Sequence, residues 1–339
     1  IHNEMRKHGI KLVLGYTVEG FKEKDNGVEV LLKDNPSLQA DMVVLAIGVT
    51  PDTVLAKEAG LELGIKESIV VNDRMETSVP DIYAAGDAVQ VKHYVTGNDA
   101  LISLAGPANK QGRIIADNIC GGDSRYLGSQ GSSVIKVFDM TAATTGINET
   151  NAKKSGLEVD TVILSPMSHA GYYPGGKVMT MKVVFEKETY RLLGAQIIGY
   201  EGVDKRIDVL ATAIHAGLKA TQLKDLDLAY APPYSSAKDP VNMAGFMIDN
   251  IAKGILKQWH LEDMDKISKD KNAVLLDVRT VGEFSRGHIN GFKNIPVDEL
   301  RERINEVEKG KPVYLICQSG LRSYIASRIL EGNGDETYN

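Results

Sequence analysis

The stretch Thr77-Ser78-Val79-Pro80-Asp81-Ile82-Tyr83-Ala84-Ala85-Gly86-Asp87-Ala88-Val89 decides the fold. Ile82, Tyr83, Ala84 and Ala85 predict a short apolar strand, and Gly86 lets the backbone turn sharply after it. Asp87 is then expected at the carboxyl end of that strand. Open α/β sheets bind ligands there, and a carboxylate accepts hydrogen bonds from sugar hydroxyls. Further on, Gly106-Pro107-Ala108-Asn109-Lys110-Gln111-Gly112-Arg113 opens a helix whose free N–H groups suit an electron-rich ring edge. Gly-Asp by itself is more often only a turn, so the weight rests on the combination.

That combination resembles the second flavin-contacting segment of the pyridine nucleotide–disulfide oxidoreductases. The resemblance implies that Asp87, presented by Gly86, hydrogen-bonds the ribityl chain of FAD. It also implies that the helix from about Pro107 and Ala108 points toward the flavin ring.

A chain of 339 residues has room for two or three domains. With 43% hydrophobic and 25% charged residues it is neither disordered nor fibrous. A net charge of −6 without a basic stripe argues against a nucleic-acid partner. No apolar run approaches the ~20 residues of a membrane span, so no membrane partner is expected. Cys120 and Cys317 make no disulfide framework, which fits a cytoplasmic protein, and no metal is expected.

Upstream, Met5–Lys11 reads as a helix end closed by Gly9, and Lys11–Leu14 and Val28–Leu32 read as strands. Asp41–Ile47 is a continuous apolar run, as in a strand buried on both faces, ended by Gly48 and Pro51. This resembles the Ala-x-Gly-x-x-Pro closure of the NAD(P)-binding domain in the same family and puts Gly48 among the cofactor-binding candidates. No G-x-G-x-x-G follows a strand, and the N-terminal redox cysteine of the family is absent, so the chain reads as a C-terminal portion of a longer protein. Val54–Ala59 and Leu101–Asn118 are expected as helices and Ile69–Val71 as a strand. Cys120 is expected to be a small packing residue.

From residue 126 the pattern changes to strands, Val134–Phe138, Thr161–Ser165 and a hairpin Val178–Glu186/Tyr190–Ile198, followed by a helix with Ile207, Leu210, Ala211, Ile214 and Leu218 on one face. Two loops carry tyrosines stiffened by proline, Tyr172-Tyr173-Pro174 and Tyr230-Ala231-Pro232-Pro233-Tyr234. Such rings are more often packing anchors than catalysts. Residues 126–256 resemble the dimerisation domain of this family, which implies a homodimer. The tyrosine loops resemble those of coenzyme A–disulfide reductases and the related NADH oxidases and polysulfide reductases, where two tyrosines of the partner subunit border the site cysteine. Tyr172 and Tyr230 are favoured for that role, with Tyr234 in reserve. No His-x-x-x-x-Glu base of the glutathione reductase type is found.

The last segment predicts a strand Ala273–Val278, a helix Asp298–Val307, a strand Pro312–Cys317 and a helix Arg322–Leu330. Between the last two runs the loop Cys317-Gln318-Ser319-Gly320-Leu321-Arg322. A cysteine between a strand end and a helix N-terminus meets converging N–H groups, which favour the thiolate. Gly320 lets the backbone curl round the sulfur, and Arg322 is expected to close the ring with a fork of donors for an anion such as thiosulfate. The loop, with Asp277-Val278-Arg279, Glu283-Phe284, Gly287-His288-Ile289-Asn290-Gly291 and Asn294-Ile295-Pro296, resembles a rhodanese. Cysteine phosphatases share this cradle but place the arginine one position later. His288, Asp277, Arg279 and Glu283 are read as structural support, and a further strand and helix are expected to complete the unit.

The fold class expected is α/β, a partial two-dinucleotide-binding-domain flavoprotein with an α+β dimerisation domain and a small α/β rhodanese domain. The expected divisions are 1–50 for the end of the NAD(P)-binding domain, 51–125 for the second FAD-binding segment, 126–256 for dimerisation and 262–339 for the rhodanese unit. The resemblance implies FAD, NAD(P)H and coenzyme A as cofactors, and reduction of coenzyme A disulfide, persulfide or polysulfide coupled to sulfane-sulfur transfer on Cys317. An NADH oxidase or polysulfide reductase on this scaffold, or a non-reducing sulfur carrier, are the alternatives.

Overall fold

Apolar runs in this chain become strands only where a neighbour stands beside them. The computed structural model describes residues 1–339, which divide into two compact units, Ile1–Ala142 and Ala143–Asn339.

In the first unit, Val18–Lys24, Gly27–Leu32 and Asn35–Ala40 form an antiparallel meander. Gly27, at φ +123°, is needed at its turn because a Cβ there would lie 2.4 Å from the Ala40 carbonyl oxygen. The run Asp41–Ile47, expected as a buried strand, is not one. No strand pairs with it, and Met42, Val44, Leu45 and Ile47 are 64–89% exposed. Lys11–Leu14 stays outside the sheets for the same reason.

A second small sheet holds Ile69–Val70, Val89–Lys92 and Asp99–Ala100 in that order. Its core is Met75, Val89 and Val91, packed by Ile114 and Ile115 of the helix Ala105–Ile119. The strand expected at Ile82–Ala85 is reduced to one bridge, Tyr83 to Glu76. The turn at Asp81 (φ +64°) and Gly86 (φ +88°) cut it off on both sides. Asp87 therefore stands at the amino end of Val89–Lys92, not at a carboxyl end.

In the second unit, strands lie side by side in the order Leu192–Gly199, Thr180–Glu186, Val159–Leu164. The hairpin Thr180–Glu186/Leu192–Gly199 turns across residues 187–191 with Val183 opposite Ala195. Met181, Val183, Val184 and Phe185 are buried, each worth about 1.5–3 kcal/mol of transfer free energy. Two helices, Val203–His215 and Pro240–Ala252, pack on these strands.

The end of the chain forms an all-parallel sheet in the order Lys293–Asn294, Val274–Asp277, Val313–Ile316, Thr337–Tyr338. Its core runs through Leu276, Ile295, Leu300, Leu315, Ala326 and Leu330. The helix expected over Asp298–Val307 is instead a series of turns ending in a 3₁₀ turn, Ile304–Glu306. The buried side chains Val297 and Leu300, like Ile304 and Val307, are three residues apart, which tighter i→i+3 turns satisfy.

The linker ties this sheet to the preceding one. Trp259 donates through Nε1 to the Leu315 carbonyl (3.0 Å), Gln258 to the Thr161 carbonyl (3.2 Å), and His260 Nε2 meets Asp160 Oδ1 at 3.1 Å. Asn250 also donates to the Tyr324 hydroxyl (3.1 Å). No helix is long and apolar enough to cross a membrane.

Candidate functional site

Cys317 follows the strand Val313–Ile316 and precedes the helix Leu321–Glu331, whose N-cap is Gly320 at φ +91°. Only glycine takes that conformation without strain, and it turns its own N–H onto the sulfur at 3.1 Å. The Ser323 hydroxyl donates to Sγ at 3.3 Å. Burial pushes the Cys317 thiol up, but the Ser323 hydroxyl and the N–H groups of Ser323, Ser319 and Gly320 outweigh it, leaving the thiol below its ordinary value. The result is a preformed thiolate nest. Gln318, Ser319, Gly320 and Leu321 form its rim, with Leu321 exposed.

Arg322 does not close the ring. Both terminal nitrogens of its guanidinium hold the Glu283 carboxylate, each at 2.7 Å. Glu283 is held well below the usual carboxylate range by Arg322 and by Thr280, whose N–H and hydroxyl it also accepts. Arg279 is likewise occupied, by Asp277 at 2.7 Å. Beside the sulfur lies a cavity of about 300 Å³ lined by Cys317, Gln318, Ile316, Ile289, Arg279 and His288, among others.

A second cluster forms in the preceding domain. The two tyrosine loops meet, Tyr172 Oη lying 2.7 Å from Tyr230 Oη. This hydrogen bond first, and burial second, push the Tyr230 phenol up, so it stays protonated. One hydroxyl hydrogen is spent in the pair and the other is left to donate outward. Tyr234 is 72% exposed and lines, with Tyr230, Lys205 and Glu201, a groove of about 630 Å³.

Behind these loops sits a residue that sequence reasoning missed. Arg206 is 1% exposed and donates to Asp239 Oδ2 (3.0 Å), Ser235 Oγ (3.1 Å) and the Ser168 carbonyl (2.9 Å), binding both loops to one helix. Gly202 (φ +67°) leaves room for its Nη1, which a Cβ would approach to 2.1 Å. The signal was available: Arg206 falls on the buried stripe with Val203, Ile207 and Leu210.

In the first unit, Asp87 is exposed beside the uncapped N-terminus of Ala105–Ile119, which holds Pro107 and Ala108 in its first turn. The Gly86 N–H donates to Gln111 Oε1 (2.7 Å), and a Cβ on Gly86 would meet Ala108 at 4.0 Å. Gln111, buried and unnoticed in the sequence, fixes this turn. Exposed carboxylate and free helix N–H groups side by side fit the sugar-like chain and ring edge of a flavin. Gly48 (φ +100°) ends the exposed 42–47 run with open space around it.

Three family models match the chain. They are pyridine nucleotide-disulphide oxidoreductase over residues 1–112, its dimerisation domain over 132–240, and the rhodanese-like domain over 260–339. A Pyrococcus abyssi protein named NAD(P)H sulfur oxidoreductase (CoA-dependent) is 37% identical, covering 71% of this chain and 53% of its own. A Staphylococcus aureus coenzyme A disulfide reductase is 35% identical over 73% of this chain and 55% of its own. The chain thus spans about half the length of these relatives. Among solved structures, reduced Bacillus anthracis CoADR-RHD is 46% identical with a TM-score of 0.95, covering all of this chain and 60% of its own. An NAD-dependent persulfide reductase from A. fulgidus is 40% identical with a TM-score of 0.89, over 99% of this chain and 61% of its own.

Proposed function

We infer the function from membership: this chain belongs to the pyridine nucleotide–disulphide oxidoreductase family and carries a rhodanese-like domain at its C-terminal end. The protein of which it forms part reduces coenzyme A disulfide, persulfide or polysulfide with NAD(P)H and FAD, and Cys317 carries the sulfane sulfur. The observation that carries this reading is the nest at Cys317, where Gly320 N–H and Ser323 Oγ both donate to Sγ. A sulfur held that way is a nucleophile toward a polarised S–S bond and a good leaving group afterwards.

Asp87 and the N–H groups of Ala105 and Gly106, which open the helix turn holding Pro107 and Ala108, would hold the flavin, which supplies the hydride-accepting ring when bound. Residues 1–50 and 51–125 then belong to nucleotide- and flavin-binding domains, 126–256 to a homodimer interface and 262–339 to the sulfur carrier. Tyr172 and Tyr230 donate their free hydroxyl to a sulfur of the partner's site, which their outward exposure supports. Two unpaired cysteines support a cytoplasmic setting.

The test is polysulfide treatment followed by intact-mass measurement, with Cys120, the other free and exposed cysteine, replaced by serine in every protein compared. One sulfur added to the wild type and none to Cys317→Ser is the expected result. Loading that survives in Cys317→Ser removes the carrier role.

A further inference from the structure

The cavity beside Cys317 has a feature that sulfur carriage alone does not require. His288 lines it together with the sulfur. Its Nδ1 lies 3.1 Å from the Phe284 carbonyl oxygen, and its ring stacks on Phe284 at 3.8 Å with 12° between the planes. A carbonyl only accepts, so Nδ1 carries the hydrogen and Nε2 of the neutral ring carries the lone pair. The stacking fixes the ring in that orientation. The two guanidinium groups nearest the loop, Arg322 and Arg279, are already matched by Glu283 and Asp277. Beyond them the cavity offers no unmatched charge: the apolar side chains of Ile289 and Ile316 stand beside the neutral amide of Gln318.

We propose that this cavity receives a neutral alkyl thiol as sulfur acceptor and that His288 is the catalytic base that takes its proton. The proposal rests on the reading of Cys317 as a persulfide carrier. The thiol R–SH gives its proton to His288 Nε2. The thiolate sulfur then bonds to the outer sulfur of the Cys317 persulfide, and the Cys317 S–S bond breaks. Its electron pair returns to Sγ, held by Gly320 N–H and Ser323 Oγ–H. The product R–S–S⁻ takes the proton back as R–S–SH. No electrons are gained or lost overall, and no further reactant is needed. The Cys317 thiol is held below its ordinary value by the donors of its loop, so its thiolate is a good leaving group and favours this direction.

The experiment, in a Cys120→Ser background that removes the other exposed thiol, loads Cys317 with polysulfide, removes the excess, and follows single-turnover transfer to two acceptors. One is 2-mercaptoethanol, protonated at neutral pH; the other is thionitrobenzoate, already ionised. His288→Gln is expected to slow transfer to 2-mercaptoethanol about a hundredfold and to leave transfer to thionitrobenzoate unchanged. His288→Ala is expected to recover the alkyl-thiol rate with added imidazole. Equal slowing for both acceptors, or for neither, overturns the proposal, as does the absence of imidazole rescue. Failure of the underlying reading looks different, because then Cys317 does not load at all. Loading of both variants to the wild-type level also certifies that the loop is folded.

Discussion

Ser323 sets the acidity of Cys317 without being the nucleophile. Removing its hydroxyl leaves the backbone donors of Ser319 and Gly320 in place, so Ser323→Ala should raise the thiol's titration midpoint only part of the way. In a Cys120→Ser background, iodoacetamide labelling against pH should give a wild-type midpoint below that of a free thiol and a higher one in the variant; coincident curves would remove Ser323 from this role. Arg206 has a larger effect on stability. Breaking a buried pair costs about 3–5 kcal/mol, so Arg206→Met should lower the denaturant midpoint strongly, whereas the double variant Arg206→Met/Asp239→Leu should recover part of the loss. An unchanged midpoint in the single variant would contradict its burial. At this scale the sequence was readable where chemistry is local. Cys317 and Gly320 stand in one loop, and their roles follow from spacing. Arg206, Gln111 and Ser323 owe theirs to partners that the fold supplies, and Arg322 shows the converse, since its fork faces Glu283, 39 residues upstream.

The elements that were legible are those that bury a face. The hairpin Thr180–Glu186/Leu192–Gly199 and the strand Val274–Asp277 lie inside sheets, where periodicity and burial agree. Asp41–Ile47 has the composition of a central strand but no neighbour, and composition cannot reveal that. The linker element makes a prediction of its own. Asp160, first, pushes His260 above its ordinary value. Burial opposes ionisation of Asp160, yet His260 and the Thr161 N–H leave it below its ordinary value. A raised histidine contributes fully below about pH 6.5 and loses its contribution as pH rises through the folded value. A lowered aspartate contributes above about pH 3.9 and loses it as pH falls through its folded value. The clamp is therefore strongest between these limits, with Asp263 and Glu262 adding to the pull on His260. Amide-exchange protection over residues 257–263, corrected for intrinsic rates, should be greater near pH 6 than near pH 8. His260→Gln should flatten that dependence; an unaltered slope would assign it elsewhere.

For the molecule as a whole, the consequence of the unpaired run is exposed apolar surface. Met42, Val44, Leu45 and Ile47 stand together at 64–89% exposure, and contiguous patches of this kind bind hydrophobic probes or other chains. The 339-residue chain should therefore enhance the fluorescence of anilinonaphthalene sulfonate in its folded state. The pair Val44→Thr and Ile47→Thr should remove most of that signal with the thermal midpoint unchanged. A large fall in the midpoint would mean that these side chains are packed after all.

The indole of Trp259 donates to the carbonyl of Leu315, two positions before Cys317 on the same strand run. The chain has a single tryptophan. Excited at the red edge, where the thirteen tyrosines do not absorb, its intrinsic emission is an optical readout of that one contact. Undocking of the linker and sulfur loading at the strand end can both be timed on unlabelled protein, by a chromophore already built into the linker.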